Sequence, residues 1–281
     1  MVVRSESIAP GTVSNMCGRV VTASGPEELS KHLRIDAIVD VLEGPDHNVA
    51  PSRRLPIAWS DPDGGARLLG TARWGLLPAW AKDQRVGDRM FNARAETVAD
   101  KPSFRAAFRH RRCLVVVDGF YEWGAGNRPL REPWYFHRSD GDPLVLAGLW
   151  ESWVDAEEEG LSDGGCGPNP VTTCTIITVP ANGDLSPVHH RMPTVLESEN
   201  WDIWLGADSC PRSAYEELLT PAPDGTISRY AVHSHVNDAK NKGVELLKPV
   251  IRATVGKVQP KQCPDARGAT DMSRLAQGVL W

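Results

Sequence analysis

Cys113-Leu114-Val115-Val116-Val117-Asp118-Gly119-Phe120-Tyr121-Glu122-Trp123 is the stretch whose reading decides the fold. Its first half is a continuous apolar run ending in three β-branched residues, which reads as a buried strand. The run stops at Asp118-Gly119, and Phe120–Trp123 resumes as a second strand or a bulge. Working outward, Leu55-Pro56-Ile57-Ala58-Trp59 is another apolar strand. Asp61-Pro62-Asp63-Gly64-Gly65 is a turn signal that pairs it with a strand near residues 66–70 as a hairpin. Further strands are expected at residues 19–22, 134–137, 144–150, 172–179 and 229–233, with a loop at residues 48–52. Ser24-Gly25-Pro26-Glu27 has capping-box spacing ahead of Leu29, Leu33 and Ile38, which predicts an amphipathic helix. Ser103 is placed to cap a short helix with Phe104, Ala107 and Phe108 on one side and arginines on the other. Two more helices are expected at 198–205 and 213–219. Many short strands, few helices and no regular strand–helix alternation predict an α+β domain: a curved, mainly antiparallel, barrel-like sheet with short flanking helices.

The chain has 281 residues, 41% apolar and 24% charged, with a formal net charge of −5, so nothing in the totals advertises a nucleic-acid partner. Placement matters more than the sum. Lys101, Arg105, Arg109, Arg111 and Arg112 form a basic run that reads as a solvated helix face, and Asp155-Ala156-Glu157-Glu158-Glu159 reads as an exposed acidic loop. Ten Trp outnumber five Phe and four Tyr, and Trp suits sites where an apolar face packs while a polar edge bonds, base-stacking platforms included. The six cysteines show no Cys-x-x-Cys spacing, so no metal site is expected, and without a secretory signal a reduced cytoplasmic setting is the default. No stretch approaches the roughly twenty apolar residues needed to span a bilayer, so no membrane partner is expected. Three stretches follow: residues 1–15 as an extension, 16–250 as the domain, and a polar tail over 251–281.

Four groups could carry chemistry. Cys17, in Met16-Cys17-Gly18-Arg19, would gain a free α-amine beside its thiol if the chain were cut before it. Such a 1,2-aminothiol condenses with an aldehyde and closes to a thiazolidine. Phe91-Asn92-Ala93-Arg94-Ala95-Glu96, Asp118–Trp123 and Val188-His189-His190-Arg191-Met192-Pro193 each set polar residues where folding alone would not. Glu122 at a buried strand end is either a desolvated acid–base group or a structural carboxylate paired with an arginine. His189 is either a proton carrier near neutral pH or a structural histidine. Asn92 either orients a reacting group or bonds its own turn.

Taken in order, Met16-Cys17-Gly18-Arg19, Asn48-Val49-Ala50-Pro51, Trp74-Gly75-Leu76-Leu77-Pro78, Asn92-Ala93-Arg94-Ala95-Glu96-Thr97, Asp118–Trp123, Ala147-Gly148-Leu149-Trp150 and His189–Pro193 resemble the SOS-response-associated peptidase family, the abasic-site processing proteins. Val236-Asn237 with Lys248-Pro249 resembles that family's ending. The resemblance implies a single domain of that type, without a cofactor, acting as a monomer on abasic sites in single-stranded DNA. It implies a covalent crosslink through Cys17, with Asn92, Glu122 and His189 around it, and cutting of the Met16–Cys17 bond by self-cleavage or by ordinary methionine removal. It further implies that Arg19, Arg94 and Arg191 hold the DNA backbone, while Pro51 and Trp123 meet the bases beside the lesion. Family members begin at the methionine before the cysteine, so residues 1–15 are expected to be a mis-assigned start or a removed segment. Two other readings of the same residues are an N-terminal-nucleophile amidohydrolase and a non-catalytic single-stranded DNA-binding module.

Overall fold

The run at residues 112–117 is apolar without interruption because both of its faces are covered. In the computed structural model, which describes residues 18–124, 131–155, 170–206 and 210–250, it is a strand with every residue buried. Cys17, residues 1–15, most of the acidic run (156–159) and the tail 251–281 lie outside the described residues.

The strands, in chain order, are β1 (Val20–Thr22), β2 (Ala37–Ile38), β3 (Asp46–Val49), β4 (Arg54–Ser60), β5 (Arg67–Trp74), β6 (Asn92–Arg94), β7 (Arg112–Val117), β8 (Gly119–Trp123), β9 (Pro133–Arg138), β10 (Leu144–Trp153), β11 (Val171–Pro180), β12 (Arg191–Pro193) and β13 (Ile227–Ala231). Strands β4, β7, β10 and β11 pair antiparallel in series, and β4 also pairs antiparallel with β5. A parallel pairing of Thr173 and Cys174 with Arg73 and Trp74 then joins β11 to β5 and closes a five-strand barrel. Closure leaves these strands no free edge. A second, antiparallel sheet runs β13-β9-β8-β1-β3.

Side-chain alternation divides the interior. Cys113, Val115 and Val117 of β7 join Leu55, Ile57, Trp74, Leu146 and Ile176 in one core, which Val20, Phe120 and Phe136 of the second sheet also enter. Leu114 and Val116 face the other way, into a core covered by α1 (Pro26–Leu33), α3 (Arg105–His110), α4 (Trp201–Leu205) and α5 (Arg212–Glu217). The far face of the second sheet, with Val21, Tyr121 and Tyr135, packs against Val232, Val236 and Leu246. The chain is therefore α+β, built mostly of strands.

Asp118 is the corner between the two sheets. Its carboxylate accepts the Ala23 and Ser24 backbone N–H groups and the Ser24 hydroxyl. Beyond it, Gly119 passes so close to β9 that an added Cβ would overlap the Phe136 carbonyl oxygen and the Tyr135 ring.

Several expectations need correction. Ser24 is spent on Asp118, so α1 begins at Gly25 without a side-chain cap, with Pro26 in its first turn. Ile38 is not on that helix; it lies on the short edge strand β2 and is 47% exposed. Residues 48–49 belong to β3 rather than to a loop, because the Asn48 side chain, buried at 0% exposure, bonds a distant segment. Arg112 is not part of a solvated face. It is buried, its guanidinium bonding Phe108 O and Arg109 O at 2.7 Å at the end of α3 and Trp204 O at 2.7 Å near the end of α4. The last strand lies two residues upstream of expectation, at Ile227–Ala231.

Candidate active site and nucleic-acid interface

Glu122 lies two residues beyond Phe120 on β8 and so shares its face, toward the barrel core. It is 4% exposed, an uncommon place for a carboxylate. Trp134 of β9 lies opposite it on one side. On the other, Val20 pairs with Phe120 and Val21 with Gly119, and the Arg19 carbonyl accepts the Tyr121 N–H at 3.0 Å. The next step of that register sets Gly18 opposite Glu122.

Asn92 opens β6, which runs parallel to β11 with Asn92 opposite Ile176. The preceding Phe91 packs edge-on to Trp74 at 5.8 Å, and its carbonyl accepts the Trp74 indole N–H at 2.8 Å. Arg94 pairs with Thr178 at the end of β6 and is exposed.

His189 ends the loop before β12. Its Nδ1 lies 3.1 Å from the Arg191 backbone nitrogen and 3.3 Å from the Arg191 carbonyl oxygen. Nε2 is buried without a hydrogen-bond partner among the described residues. Burial holds the His189 pKa below its ordinary value of 6.5, and the nearby charges of His190, Arg131 and Arg191 add to that. The lowered pKa favours the neutral ring.

Arg191 is anchored from two sides. Both terminal nitrogens reach the Glu96 carboxylate as a bidentate pair, and one also bonds the Thr178 carbonyl. This pair ties the Asn92 segment to the His189 segment across β11. Thr178 strengthens the tie by donating its hydroxyl to Ala93 O at 3.2 Å.

Arg19 donates to Asn48 Oδ1 at 2.9 Å and to the Val236 carbonyl at 2.8 Å, and sits 6.0 Å over the Trp123 ring. The Trp123 indole in turn donates to Asn237 Oδ1 at 2.7 Å. Pro51 is partly exposed on the turn between β3 and β4, where Arg53 N–H bonds Ala50 O and Ser52 has φ +72°. Proline followed by a positive φ is the type II pattern, and Ser52 is held there by hydroxyl contacts with Asp88 and Arg73. The structure thus links Asn92 and Arg94 to His189 and Arg191, and joins Arg19 to Trp123. Glu122 lies on the core-facing side of β8 beside β1.

Sequence reasoning missed Asn48, Glu96 and Asn237 as partners of these groups. Asn48 and Asn237 stood within motifs already singled out, yet nothing local marks an asparagine that serves residues more than a hundred positions away. Glu96 stood two residues from Arg94, and its pairing with Arg191 depends on β11 lying between them.

A family model described as SOS response associated peptidase (SRAP) matches residues 16–239. The chain belongs to the SRAP family. Among its relatives, the abasic site processing protein YoqW of Bacillus subtilis is 36% identical over 234 residues, spanning 83% of this chain and 99% of the relative. The abasic site processing protein HMCES of Gallus gallus is 31% identical over 236 residues, spanning 73% of this chain and 66% of the relative. The fold is shared with a crystal structure of a Bacteroides thetaiotaomicron protein, with a TM-score of 0.71 and 22% identity over 84% of this chain and all of that one. No helix among the described residues of this SRAP chain is long and apolar enough to cross a membrane.

Proposed function

We propose that this SRAP chain processes abasic sites in single-stranded DNA by crosslinking to them through Cys17, once the bond before Cys17 has been cut. The observation that carries this reading is the register of β1 on β8. Continued beyond Val20, that register runs toward the buried Glu122, and Cys17 is peptide-bonded to Gly18 at its end.

An abasic deoxyribose is mostly a closed hemiacetal, and only its ring-opened aldehyde reacts. Opening removes a proton from the C1′ hydroxyl, breaks C1′–O4′ and returns a proton to O4′. Glu122 is the group for these transfers, and His189 offers its Nε2 proton to the departing sugar oxygen. The Cys17 amine then adds to C1′ and water leaves, giving a Schiff base. The Cys17 sulfur adds to the imine carbon, its proton passes to nitrogen, and the thiazolidine closes. Asn92 orients the amine or the sugar oxygen. Arg94, exposed beside this group, meets a phosphate directly. Arg191 does so by exchanging its Glu96 pair for the phosphate, and Arg19 does so while anchoring the first strand. Pro51 and Trp123 meet the flanking bases, a stacking worth about 1–3 kcal/mol per base. Exposure of the amine follows either from self-cleavage after Met16, with Glu122 and His189 moving the protons, or from removal of Met16 as an initiator. The working domain is residues 16–250, acting as a monomer without a cofactor.

Incubation with a single-stranded oligonucleotide carrying one abasic site tests the reading. A heat-resistant shifted band is expected from the wild type, and none from Cys17→Ala. An amidohydrolase or a non-covalent binding module would give no such band from either.

A further inference from the structure

The basic run at residues 101–112 finds no role in the site above, yet part of it lines a cavity of about 250 Å³ between α3 and α5. Arg105, Arg109 and Arg212 supply its charge, Phe108 and Tyr215 back it, and Ala99 lies on its wall. Tyr215 is fixed in place: its hydroxyl donates to Gly206 O at 2.6 Å, and the Arg112 guanidinium lies 3.7 Å from its ring centre.

Arg105 and Arg109 are exposed, and among the described residues no carboxylate lies within ion-pair distance of either guanidinium. They stand at i and i+4 on one helix, where like charges repel unless an anion sits between them. Arg212 is held by Asp100 at 3.0 Å and Glu216 at 2.6 Å, both solvent-exposed pairs of the kind that exchange partners readily.

The cavity also adjoins the segment that carries Arg94 and Glu96. Ala99 caps the four-residue helix Ala95–Val98, and Glu96, one turn earlier on the same side, grips Arg191. Ala99 thus joins the cavity wall to the segment that carries Arg94 and Glu96.

We propose that this cavity is a phosphate subsite for the DNA strand. It takes a backbone phosphate of a nucleotide flanking the abasic one, held between Arg105 and Arg109, with Arg212 turning from Asp100 to add a third contact. The inference rests on the reading of the chain as a processor of single-stranded DNA.

The test is the salt dependence of binding to an undamaged single strand of about 20 nucleotides, followed by fluorescence anisotropy. Each phosphate contact on a single strand contributes about 0.7 to the slope of log K against log salt. Arg105→Gln/Arg109→Gln, which removes the hold on that one phosphate, is therefore expected to reduce that slope by about 0.7 and to weaken binding most at low salt. Cys210, on the cavity wall and half-exposed, gives a second reading on the unaltered protein. Its alkylation rate, followed by peptide mass spectrometry, should fall several-fold with the oligonucleotide and not with equimolar inorganic phosphate or deoxyadenosine monophosphate. Superimposed salt slopes would overturn the proposal. So would protection of Cys210 by the mononucleotide alone, which would mark a small-molecule site. Crosslinking of a short abasic oligonucleotide by the wild type reports the Cys17 chemistry separately: its failure would sink the functional reading, whereas unchanged slopes with crosslinking intact would sink only the subsite.

Discussion

Replacing Asn48 by alanine should damage the chain's stability and its chemistry together. Asn48 is fully buried, and its amide donates to the carbonyls of Val236, Asp238 and Asn241 at 3.0–3.2 Å while its oxygen accepts from Arg19 at 2.9 Å. The amide has two hydrogens shared among three acceptors, so its donation is worth about 2 kcal/mol net, and the bond from the charged Arg19 adds about 1.5–3. Arg19 keeps its bond to the Val236 carbonyl, so the net loss should be about 3 kcal/mol. In a domain of this size each kcal/mol moves Tm by about 2–4 °C, which gives a fall of about 6–12 °C. Thermal unfolding followed by far-UV circular dichroism reads this directly. Crosslinking measured well below the new Tm should also slow, because β1 leads directly to Cys17 and loses an anchor at Arg19. A fall below about 2 °C, or an unchanged crosslinking rate, would refute the view that residues 236–241 hold the first strand in place through Asn48.

Other outcomes follow from the same geometry. His189 has its pKa depressed by burial, so between that value and the unfolded value of about 6.5 the unfolded chain binds more protons than the folded one. Stability from this residue is thus complete above about pH 6.5 and is lost as pH falls toward the folded pKa; Tm measured from pH 7.5 to pH 5 should show this decline, and His189→Gln should flatten it. Glu96→Gln removes the carboxylate that grips Arg191, and since Glu96 is half-exposed the stability cost should stay below about 1 kcal/mol. Anisotropy should show tighter binding of an undamaged single strand by that variant, because Arg191 is then free for a phosphate; weaker binding would mean that the Glu96 pair presents Arg191 to DNA. Gly119→Ala forces a Cβ onto the Phe136 carbonyl and should cost about 3 kcal/mol or more, read as a lower denaturation midpoint, with loss of crosslinking as β8 shifts.

How much of this was legible depended on where each residue's partners sit in the chain. The run at 113–117 announced a strand, and its lack of alternation matched burial on both faces, with Val115 inside the barrel and Val116 under the helices. The hairpin of β4 and β5 was equally plain, because its Asp-Pro-Asp-Gly-Gly turn is local. Barrel closure was not, since it rests on the parallel pairing of Cys174 with Trp74, a hundred residues apart. Arg112 and Asn48 were misread for the same reason. Each is a polar residue buried to serve backbone carbonyls 92 and 188 positions away, and no local pattern separates it from a solvated arginine or a loop asparagine. Glu122 and His189 stood out because acids and imidazoles at the ends of apolar runs are uncommon. The Glu96–Arg191 grip that ties Asn92 to His189 became visible only once β11 lay between them.

The central claim is that both the amine and the thiol of Cys17 bond to the abasic carbon. Intact mass spectrometry of the adduct tests it most directly. The account predicts a species equal to the oligonucleotide plus a protein chain beginning at Cys17, less one water of about 18 Da, stable to heat without reduction. Cys17→Ser, which keeps the amine but lacks the thiol, should give only a heat-labile adduct that borohydride traps. A heat-stable adduct from Cys17→Ser, or one whose protein part still begins ahead of Cys17, would contradict the account.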